Sequence, residues 1–125
     1  MTGIVLVTHA GLGESLHQQA EFILGRSLPV TTVSVGETTD PDIALTELVA
    51  AIASSMDGDG ALILTDLPGA TPHNLALQAA ARHQLPVVSG LSLPMLLKTI
   101  SHASKPAPEL ALVANLGGRQ GITNQ

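Results

Sequence analysis

The chain has 125 residues and a mass of 12.7 kDa, which is the size of one folded unit, so we expect a single domain over residues 1–125. Hydrophobic residues make up 45% of the sequence and charged residues 12%, a balance that excludes a disordered chain. The absence of Cys excludes disulfide scaffolds, cysteine-based zinc sites and thiol nucleophiles. A formal charge of -5, with no Trp or Tyr for base stacking, argues against a nucleic-acid partner.

The first residues run directly into an apolar segment, without the positively charged start of a leader peptide. No apolar stretch reaches the ~20 residues that a membrane span requires. We therefore expect a cytoplasmic protein that does not insert into a membrane.

The first half of the chain alternates short apolar runs with segments of helical periodicity. Residues 4–8 and 30–35 predict the first two strands. Between them a helical face ends at Gly25. That face comprises Leu16, Ala20, Ile23 and Leu24. Asp40 followed by Pro41 predicts a capped helix start. The apolar stripe of this second helix comprises Leu45, Leu48, Val49, Ile52 and Met56.

The second half continues the same alternation. Residues 61–65 and 86–90 predict the third and fourth strands. Between them, Thr71 and Pro72 repeat the cap-then-proline pattern before a helix over residues 75–82. The stripe of a fourth helix comprises Leu93, Leu96, Leu97 and Ile100. Beyond Pro108 the spacing predicts a short helix stopped by Gly117-Gly118, and the residues near Ile122 allow a short antiparallel strand.

This alternation is typical of βαβ units around a parallel sheet. Because parallel crossovers are nearly always right-handed, helices must cover both faces of the sheet. We predict an α/β fold, a three-layer sandwich with a mainly parallel sheet of strand order 2-1-3-4. In such sheets a ligand lies beyond the carboxyl ends of the strands, where the strand order reverses.

Two residues at the predicted strand ends form the main candidate site. His9 follows the first strand and Asp66 the third, so with this strand order their side chains face each other across the crevice. A carboxylate that accepts a proton from one ring nitrogen leaves the lone pair of the other nitrogen free, which makes the histidine a nucleophile. We predict catalytic roles for His9 as the nucleophile and for Asp66 as the residue that orients it.

The residues around this pair are suited to holding an anion. A helix that begins at Pro72, with Thr71 as its cap, directs backbone N–H groups and a positive dipole end at the crevice. Gly11 and Gly69 let the backbone approach a tetrahedral group, and the Thr71 hydroxyl can donate to its oxygens. We therefore predict a phosphohistidine site in which Gly11, Gly69 and Thr71 bind phosphate, without a metal ion or cofactor.

Simpler interpretations of the same residues are also open. His9 can be a hydrogen-bonded loop residue, Asp66 a turn residue that bonds its own backbone, and Thr71 a helix cap alone. A metal site built from His9, Asp66 and His73 is conceivable but has few ligands. The glycines at positions 11 and 13 lack the third small residue of a dinucleotide-binding loop. Four histidines are interpreted as surface residues on helices: His17, His73, His83 and His102.

Four segments carry recognisable motifs. In chain order they are Val7-Thr8-His9-Ala10-Gly11, Asp66-Leu67-Pro68-Gly69-Ala70-Thr71-Pro72-His73-Asn74, Gly90-Leu91-Ser92-Leu93-Pro94-Met95-Leu96 and Gly118-Arg119-Gln120-Gly121-Ile122. They resemble, in the same order, motifs of the mannose-type IIA domains of the bacterial phosphoenolpyruvate-dependent sugar phosphotransferase system (PTS). The second segment resembles that family's Asp-x-x-Gly-x-Ser/Thr-Pro-x-Asn pattern, and the third its Gly-x-x-x-Pro-Met-Leu pattern.

The resemblance implies that His9 takes a phosphoryl group from the phosphohistidine of the small carrier protein HPr and passes it to an EIIB partner. It implies that Asp66 orients the ring and that Thr71 lies near the phosphate. It also implies a homodimer, in which residues 121–125 are a candidate for a strand exchanged between subunits. The resemblance also allows an association with the membrane components EIIC and EIID, without insertion of this chain into the membrane.

Two features depart from the family pattern. Pro68 stands where the family has an aromatic residue or glycine, which slightly reshapes the crevice loop. No linker or EIIB domain follows Gln125, which leaves the acceptor undefined. Pro72 and Asn74 favour the mannose type over the related phosphotransfer subunit of dihydroxyacetone kinase.

Two functions use the same histidine. The first is a phosphocarrier in a sugar-uptake relay. The second is a regulatory PTS protein whose His9 phosphorylation state is read by a partner protein, without sugar transport. A relative that has lost phosphoryl transfer is a third interpretation, against which the intact His9 and Asp66 argue.

Overall fold

A computed structural model describes residues 1–125. Its four strands are β1 (Gly3–His9), β2 (Val30–Val35), β3 (Ala61–Thr65) and β4 (Val87–Val88). Its five helices are α1 (Leu12–Leu24), α2 (Pro41–Ser55), α3 (Thr71–Ala81), α4 (Leu93–Ser101) and α5 (Ala107–Gln120). The predicted alternation of strands and helices is confirmed, and the fold class is α/β.

The four strands form one sheet in the order β2-β1-β3-β4, and all of them run parallel. This is the predicted strand order. In the register of the sheet His9 pairs with Val35 on one side of β1, and Val7 pairs with Thr65 on the other. The ends of the three longest strands therefore meet at one edge of the sheet, which we call the carboxyl edge. The opposite edge, where the strands begin, is the amino edge.

Helices cover both faces of the sheet, as predicted for right-handed crossovers. Side chains of β1 alternate between the two faces, so Leu6 packs with residues of α1, α4 and α5, whereas Val5 and Val7 pack with residues of α2 and α3. The middle of the sheet is dry, because β3 is buried over its whole length. The result is the predicted three-layer sandwich, with polar residues left at the strand ends.

Helices α2 and α3 both have a proline in the first turn, but their N-terminal caps differ. At α2 the prediction is confirmed, because the Asp40 carboxylate accepts a hydrogen bond from the Asp42 N–H at 2.9 Å. At α3 the predicted cap is wrong. Ala70 occupies the cap position without a side-chain bond, and Thr71 is the first helical residue. The Thr71 side chain is therefore exposed at the carboxyl edge instead of being engaged by its own helix.

The fourth strand is shorter than predicted. Only Val87 and Val88 pair with β3, whereas the sequence favoured residues 86–90. Gly90 has a φ of 83°, a left-handed conformation that ends the extended run. The chain nevertheless stays beside β3, because the Leu91 N–H donates to the Thr65 carbonyl at 2.9 Å.

The C-terminal region differs most from the prediction. Gly117 and Gly118 lie inside α5, which continues to Gln120, so they do not stop the helix. A Cβ at Gly117 would lie 2.8 Å from the Lys98 Cβ, and one at Gly118 would lie 2.8 Å from the Met95 Cε. The glycines therefore let α5 approach α4 closely. The suggested antiparallel strand near Ile122 is absent, since the residues after Gly121 form no strand and are exposed.

None of the five helices has the length and apolar character needed to cross a membrane.

Candidate functional site

The carboxyl edge brings together the two residues that the strand ends predicted. His9 is the last residue of β1, and Asp66 directly follows the neighbouring strand β3. The His9 Nδ1 atom lies 2.7 Å from Asp66 Oδ2. The backbone N–H of His9 donates to the same oxygen at 3.0 Å. One carboxylate oxygen thus holds both the main chain and the ring of His9.

The environment of the two partners is unequal. The His9 side chain is 53% exposed, whereas that of Asp66 is 9% exposed. The second carboxylate oxygen, Asp66 Oδ1, accepts a hydrogen bond from the Leu67 N–H at 3.0 Å. A carboxylate fixed at both oxygens is a rigid acceptor, so the ring that it holds has a defined orientation.

Burial and hydrogen bonding act on the pKa of Asp66 in opposite directions. Burial of the carboxyl raises its pKa, because the charged form loses water. The hydrogen bonds from the His9 N–H and the His9 ring lower it and prevail, so the pKa of Asp66 lies below its ordinary value. Asp66 is therefore an ionised acceptor near neutral pH. A carboxylate that accepts from Nδ1 favours the tautomer with the proton on Nδ1 and the lone pair on Nε2. No protein hydrogen bond engages Nε2.

A cavity of about 310 Å³ opens beside the His9 ring. Its lining comes from the ends of β1 and β2, from the loop between β2 and α2, and from the first residues of α2 and α3: His9, Val35, Gly36, Glu37, Thr39, Pro41, Thr71 and Pro72. Thr71 therefore shares a cavity with His9, as the phosphate-site prediction requires. The N-termini of two helices also border this space, and the positive end of a helix dipole stabilises an anion. At α2 the dipole acts without a free N–H from its first two residues, because Pro41 has none and that of Asp42 is bonded to Asp40.

Gly11 and Gly69 lie in the loops on either side of the pair, outside the cavity lining. Their φ angles are 85° and 84°, the left-handed region that glycine adopts without strain. A Cβ at either position would meet no atom within 4 Å. Glycine is therefore needed at both positions because the backbone turns through a left-handed conformation, and not because another part of the chain approaches closely.

The loop that follows Asp66 is held by its own backbone and by one side chain. The Ala70 N–H donates to the Leu67 carbonyl at 3.3 Å, which closes a turn around the exposed Pro68. The Asn74 side chain donates to the Gly69 carbonyl at 3.2 Å. The segment from Asp66 to α3 is therefore a defined turn that accommodates proline.

The other histidines are not part of the pair. His73 Nδ1 lies 2.7 Å from the Thr65 hydroxyl, so the trio of His9, Asp66 and His73 does not assemble as a metal site. No group of three or more His, Asp or Glu side chains in the structure is placed to hold a metal ion. His17 and His102 bond backbone carbonyls, those of Leu28 at 3.2 Å and Lys98 at 2.9 Å.

Sequence reasoning missed the part of the site that comes from the β2–α2 loop. Glu37 and Thr39 line the cavity, and the Thr39 hydroxyl accepts from the Gly36 N–H at 2.8 Å. A detectable signal existed, because this loop also follows the carboxyl end of a parallel strand. It also missed Thr8 and Thr65, the buried residues directly before His9 and Asp66.

A second cavity lies at the amino edge and is larger, about 480 Å³. Its lining includes Thr2, Arg26, Pro29, Ser54 and Asp57. It lies at the opposite end of the strands from His9, and it contains no histidine. Its size alone does not make it the stronger candidate, because a reactive group and an oriented partner are found only at the smaller cavity.

Comparisons with known proteins identify the family and the fold. The family described as EIIA-man, PTS system fructose IIA component, matches residues 3–115. The mannose/sorbose-specific IIA subunit of the phosphotransferase system from Enterococcus faecalis is 26% identical, with 99% of this chain and 94% of that chain covered and a TM-score of 0.89. The phosphotransferase system component EIIA from Streptococcus agalactiae has the same fold, with 22% identity, coverage of 99% and 97% and a TM-score of 0.89. The PTS IIA protein associated with the fucose utilization operon from Streptococcus pneumoniae also shares the fold, with 20% identity, coverage of 98% and 92% and a TM-score of 0.78. Because the family match spans most of the sequence, the chain belongs to the EIIA-man family of phosphotransferase-system IIA components.

Proposed function

We propose that the chain is a phosphohistidine carrier, which accepts a phosphoryl group from phospho-HPr on His9 and passes it to an EIIB partner. The observation that carries the proposal is the 2.7 Å contact between His9 Nδ1 and Asp66 Oδ2. This contact leaves Nε2 as the ring nitrogen that can react. Membership of a family of phosphotransferase-system components supports phosphoryl transfer as the chemistry.

The proposed step is a displacement at phosphorus. The lone pair of His9 Nε2 attacks the phosphorus of the donor's phosphohistidine. The N–P bond of the donor breaks, and its electron pair returns to the donor ring. The Nδ1 proton stays on the His9 ring, where the Asp66 carboxylate balances the positive charge that develops. Transfer to EIIB repeats the step, with His9 as the leaving group.

The phosphoryl group needs donors for its oxygens while it is attached. In this proposal the hydroxyl and the backbone N–H of Thr71 supply them, because Thr71 borders the same cavity as the His9 ring and Pro72, the next residue, has no N–H. Gly11 and Gly69 contribute through the backbone of the two loops that their left-handed conformations shape. The reaction then depends on positioning and charge stabilisation, so the proposal includes neither metal ion nor cofactor.

The proposed partners follow from the relay. The net charge of -5 suits a donor with a basic rim around its histidine, because complementary charge raises the association rate. We also propose that the protein acts in the cytoplasm as a homodimer and meets EIIC and EIID only through EIIB.

The deciding experiment incubates the protein with phosphoenolpyruvate, enzyme I and HPr and measures intact mass under non-acidic conditions that preserve phosphohistidine. The parent is expected to gain one phosphoryl mass and His9→Ala none. His83→Ala is the matched control, because this exposed side chain lies near the amino edge and makes no hydrogen bond. It should be labelled like the parent. Labelling of His9→Ala, or no labelling of the parent beside phosphorylated HPr, would overturn the proposal.

Adding a mannose-type EIIB domain to the labelled protein separates transport from regulation. Movement of the label to EIIB supports the relay. Retention of the label on His9 would contradict the EIIB step and favour the regulatory function, in which a partner reads the phosphorylated state.

A further inference from the structure

Two buried threonines lie near the ends of neighbouring strands, each directly before a residue of the pair. Thr8 directly precedes His9, and Thr65 directly precedes Asp66. Both are fully buried, whereas the His9 side chain that follows Thr8 is 53% exposed. A hydroxyl in a dry environment is costly unless it is hydrogen-bonded, so the partners of these two groups are informative.

The Thr8 hydroxyl is bonded on both sides of the turn that follows it. It donates to the His9 carbonyl at 2.8 Å and accepts from the Gly13 N–H at 2.9 Å. The first bond fixes the peptide that leaves His9, and the second ties that peptide to the start of α1. A Cβ at Gly13 would lie 3.1 Å from the Thr8 hydroxyl, so glycine at this position permits the contact.

The hydrogen bonds of Thr8 constrain His9, the residue whose backbone N–H and ring both bond to Asp66. The His9 N–H and the His9 ring reach the same oxygen of Asp66, at 3.0 and 2.7 Å. Both distances depend on the backbone angles of His9. Fixing its carbonyl removes one of the rotations that would separate the ring from the carboxylate.

The Thr65 hydroxyl closes the other loop. It pairs with His73 Nδ1 at 2.7 Å, across the eight-residue interval that contains Asp66 and the following turn. The Thr65 carbonyl also accepts from the Leu91 N–H at 2.9 Å. The strand end that precedes Asp66 is thereby attached to α3 on one side and to the segment after β4 on the other. His73 therefore supports the site through its contact with Thr65.

We propose that Thr8 and Thr65 are positioning residues for the His9–Asp66 pair, each acting through the loop that it closes. The kinetic part of this inference rests on the proposed phosphoryl transfer. The geometric part concerns the unphosphorylated protein and can be tested without any donor.

A third buried threonine provides the matched control. Thr99 is also fully buried, and its hydroxyl donates to the Met95 carbonyl at 2.8 Å. It lies near the end of α4, away from the carboxyl edge. Thr99→Val therefore removes one buried hydroxyl bond, as do Thr8→Val and Thr65→Val, but leaves the site loops untouched.

The experiment compares the three valine variants with Thr8→Ser and Thr65→Ser. Nitrogen-15 NMR of the His9 ring reports its tautomer in the unphosphorylated protein, and rapid-quench kinetics with phospho-HPr gives the transfer rate and the KM. Thr8→Val and Thr65→Val are expected to lower the population of the Nδ1–H tautomer and to slow transfer roughly tenfold with an unchanged KM. A loss of this size is typical when a group that orients a functional side chain indirectly is removed. Serine is expected to restore both values, and Thr99→Val to lower only the melting temperature.

The outcomes separate this inference from the proposed function. If Thr8→Val and Thr65→Val keep the parental tautomer signal, the positioning role is wrong, whatever the kinetics. If the parent is never phosphorylated but the tautomer signal changes as expected, the positioning role stands and the carrier function falls. Should Thr8→Val fail to fold, His73→Phe tests the second loop by removing the ring nitrogen that pairs with the Thr65 hydroxyl. A parental tautomer signal in that variant would count against the inference.

Discussion

At the carboxyl edge of the sheet the strands end and α1, α2 and α3 begin, whereas at the amino edge the strands begin and these helices end. Both edges have a cavity, of about 310 Å³ beside His9 and about 480 Å³ around the start of the chain. The last turns of α1 and α2 at the amino edge contain no basic residue. Helix carbonyls with partial negative charge therefore face that edge, and free helix N–H groups face the other.

The direction in which the strands and helices run, more than cavity volume, determines which edge of the sheet suits an anion. The amino-edge cavity contains one side chain of each charge, Arg26 and Asp57, and no histidine. The smaller cavity also has an acidic residue in its lining, Glu37, but it combines a histidine, an ionised carboxylate behind that histidine and two helix N-termini. Because these parts lie around one cavity, substitutions at the carboxyl edge are expected to affect transfer more than substitutions at the amino edge.

The largest effect is expected from Asp66→Asn. An asparagine amide can donate to Nδ1 and would then favour the tautomer in which Nδ1, not Nε2, has the lone pair. We expect transfer from phospho-HPr to slow by about 100-fold, the upper end of the loss found when the partner that orients a metal-binding histidine is removed. Rapid-quench measurement of phosphorylated protein checks the rate. A rate within twofold of the parent would reduce Asp66 to a turn residue.

An intermediate effect is expected from Thr71→Val, which removes a hydroxyl from the cavity beside His9. One hydrogen bond to a charged phosphoryl group contributes about 1.5 kcal/mol or more, so transfer should slow roughly tenfold. Arg26→Ala is the control at the amino edge, where an exposed charged side chain also lines a cavity. Equal slowing in the two variants would show that the edges are not functionally distinct.

Much of the fold could be predicted, because burial determines the spacing of apolar residues in each strand and helix. Strands β2 and β3 have the predicted limits, and β1 extends one residue further at each end. The errors arise where tertiary contacts override local signals. Gly117 and Gly118 look like a helix stop in the sequence, yet they are glycine because Lys98 and Met95 pack against them. Local chemistry could not reveal that contact, which joins α5 to α4.

The site was predictable to the extent that topology determines it. Strand order alone places His9 opposite Asp66, and their hydrogen bond agrees with that placement. The partners of Thr8 and Thr65 were not predictable, because the direction of a hydroxyl depends on the shape of the following loop. Thr71 shows the same limit. Its sequence context indicated a helix cap, but Ala70 takes that position and leaves the hydroxyl in the cavity.

The smallest effect concerns stability and compares an aspartate at each edge. The pKa of Asp66 is lowered, with burial opposing the hydrogen bonds from His9, and the pKa of Asp57 is lowered by the Gly58 N–H and the N-terminal amine. A carboxyl with a lowered folded pKa stabilises the fold above its unfolded pKa, about 3.9 for Asp. That contribution is lost as pH falls through the lower folded value. Asp66 is nearly buried, so its contribution should be measurable, whereas water and salt screen the exposed Asp57.

Melting temperatures of the parent, Asp66→Asn and Asp57→Asn between pH 7 and pH 2.5 test this difference. Asp66→Asn should melt below the parent at pH 7, and the gap should close as the pH falls below about 4, because protonation then removes the same interaction from the parent. Asp57→Asn should follow the parent throughout, and most closely in high salt. A gap for Asp66→Asn that stays constant down to pH 2.5 would mean that ionisation of this carboxylate does not stabilise the fold, and would contradict the lowered pKa of Asp66.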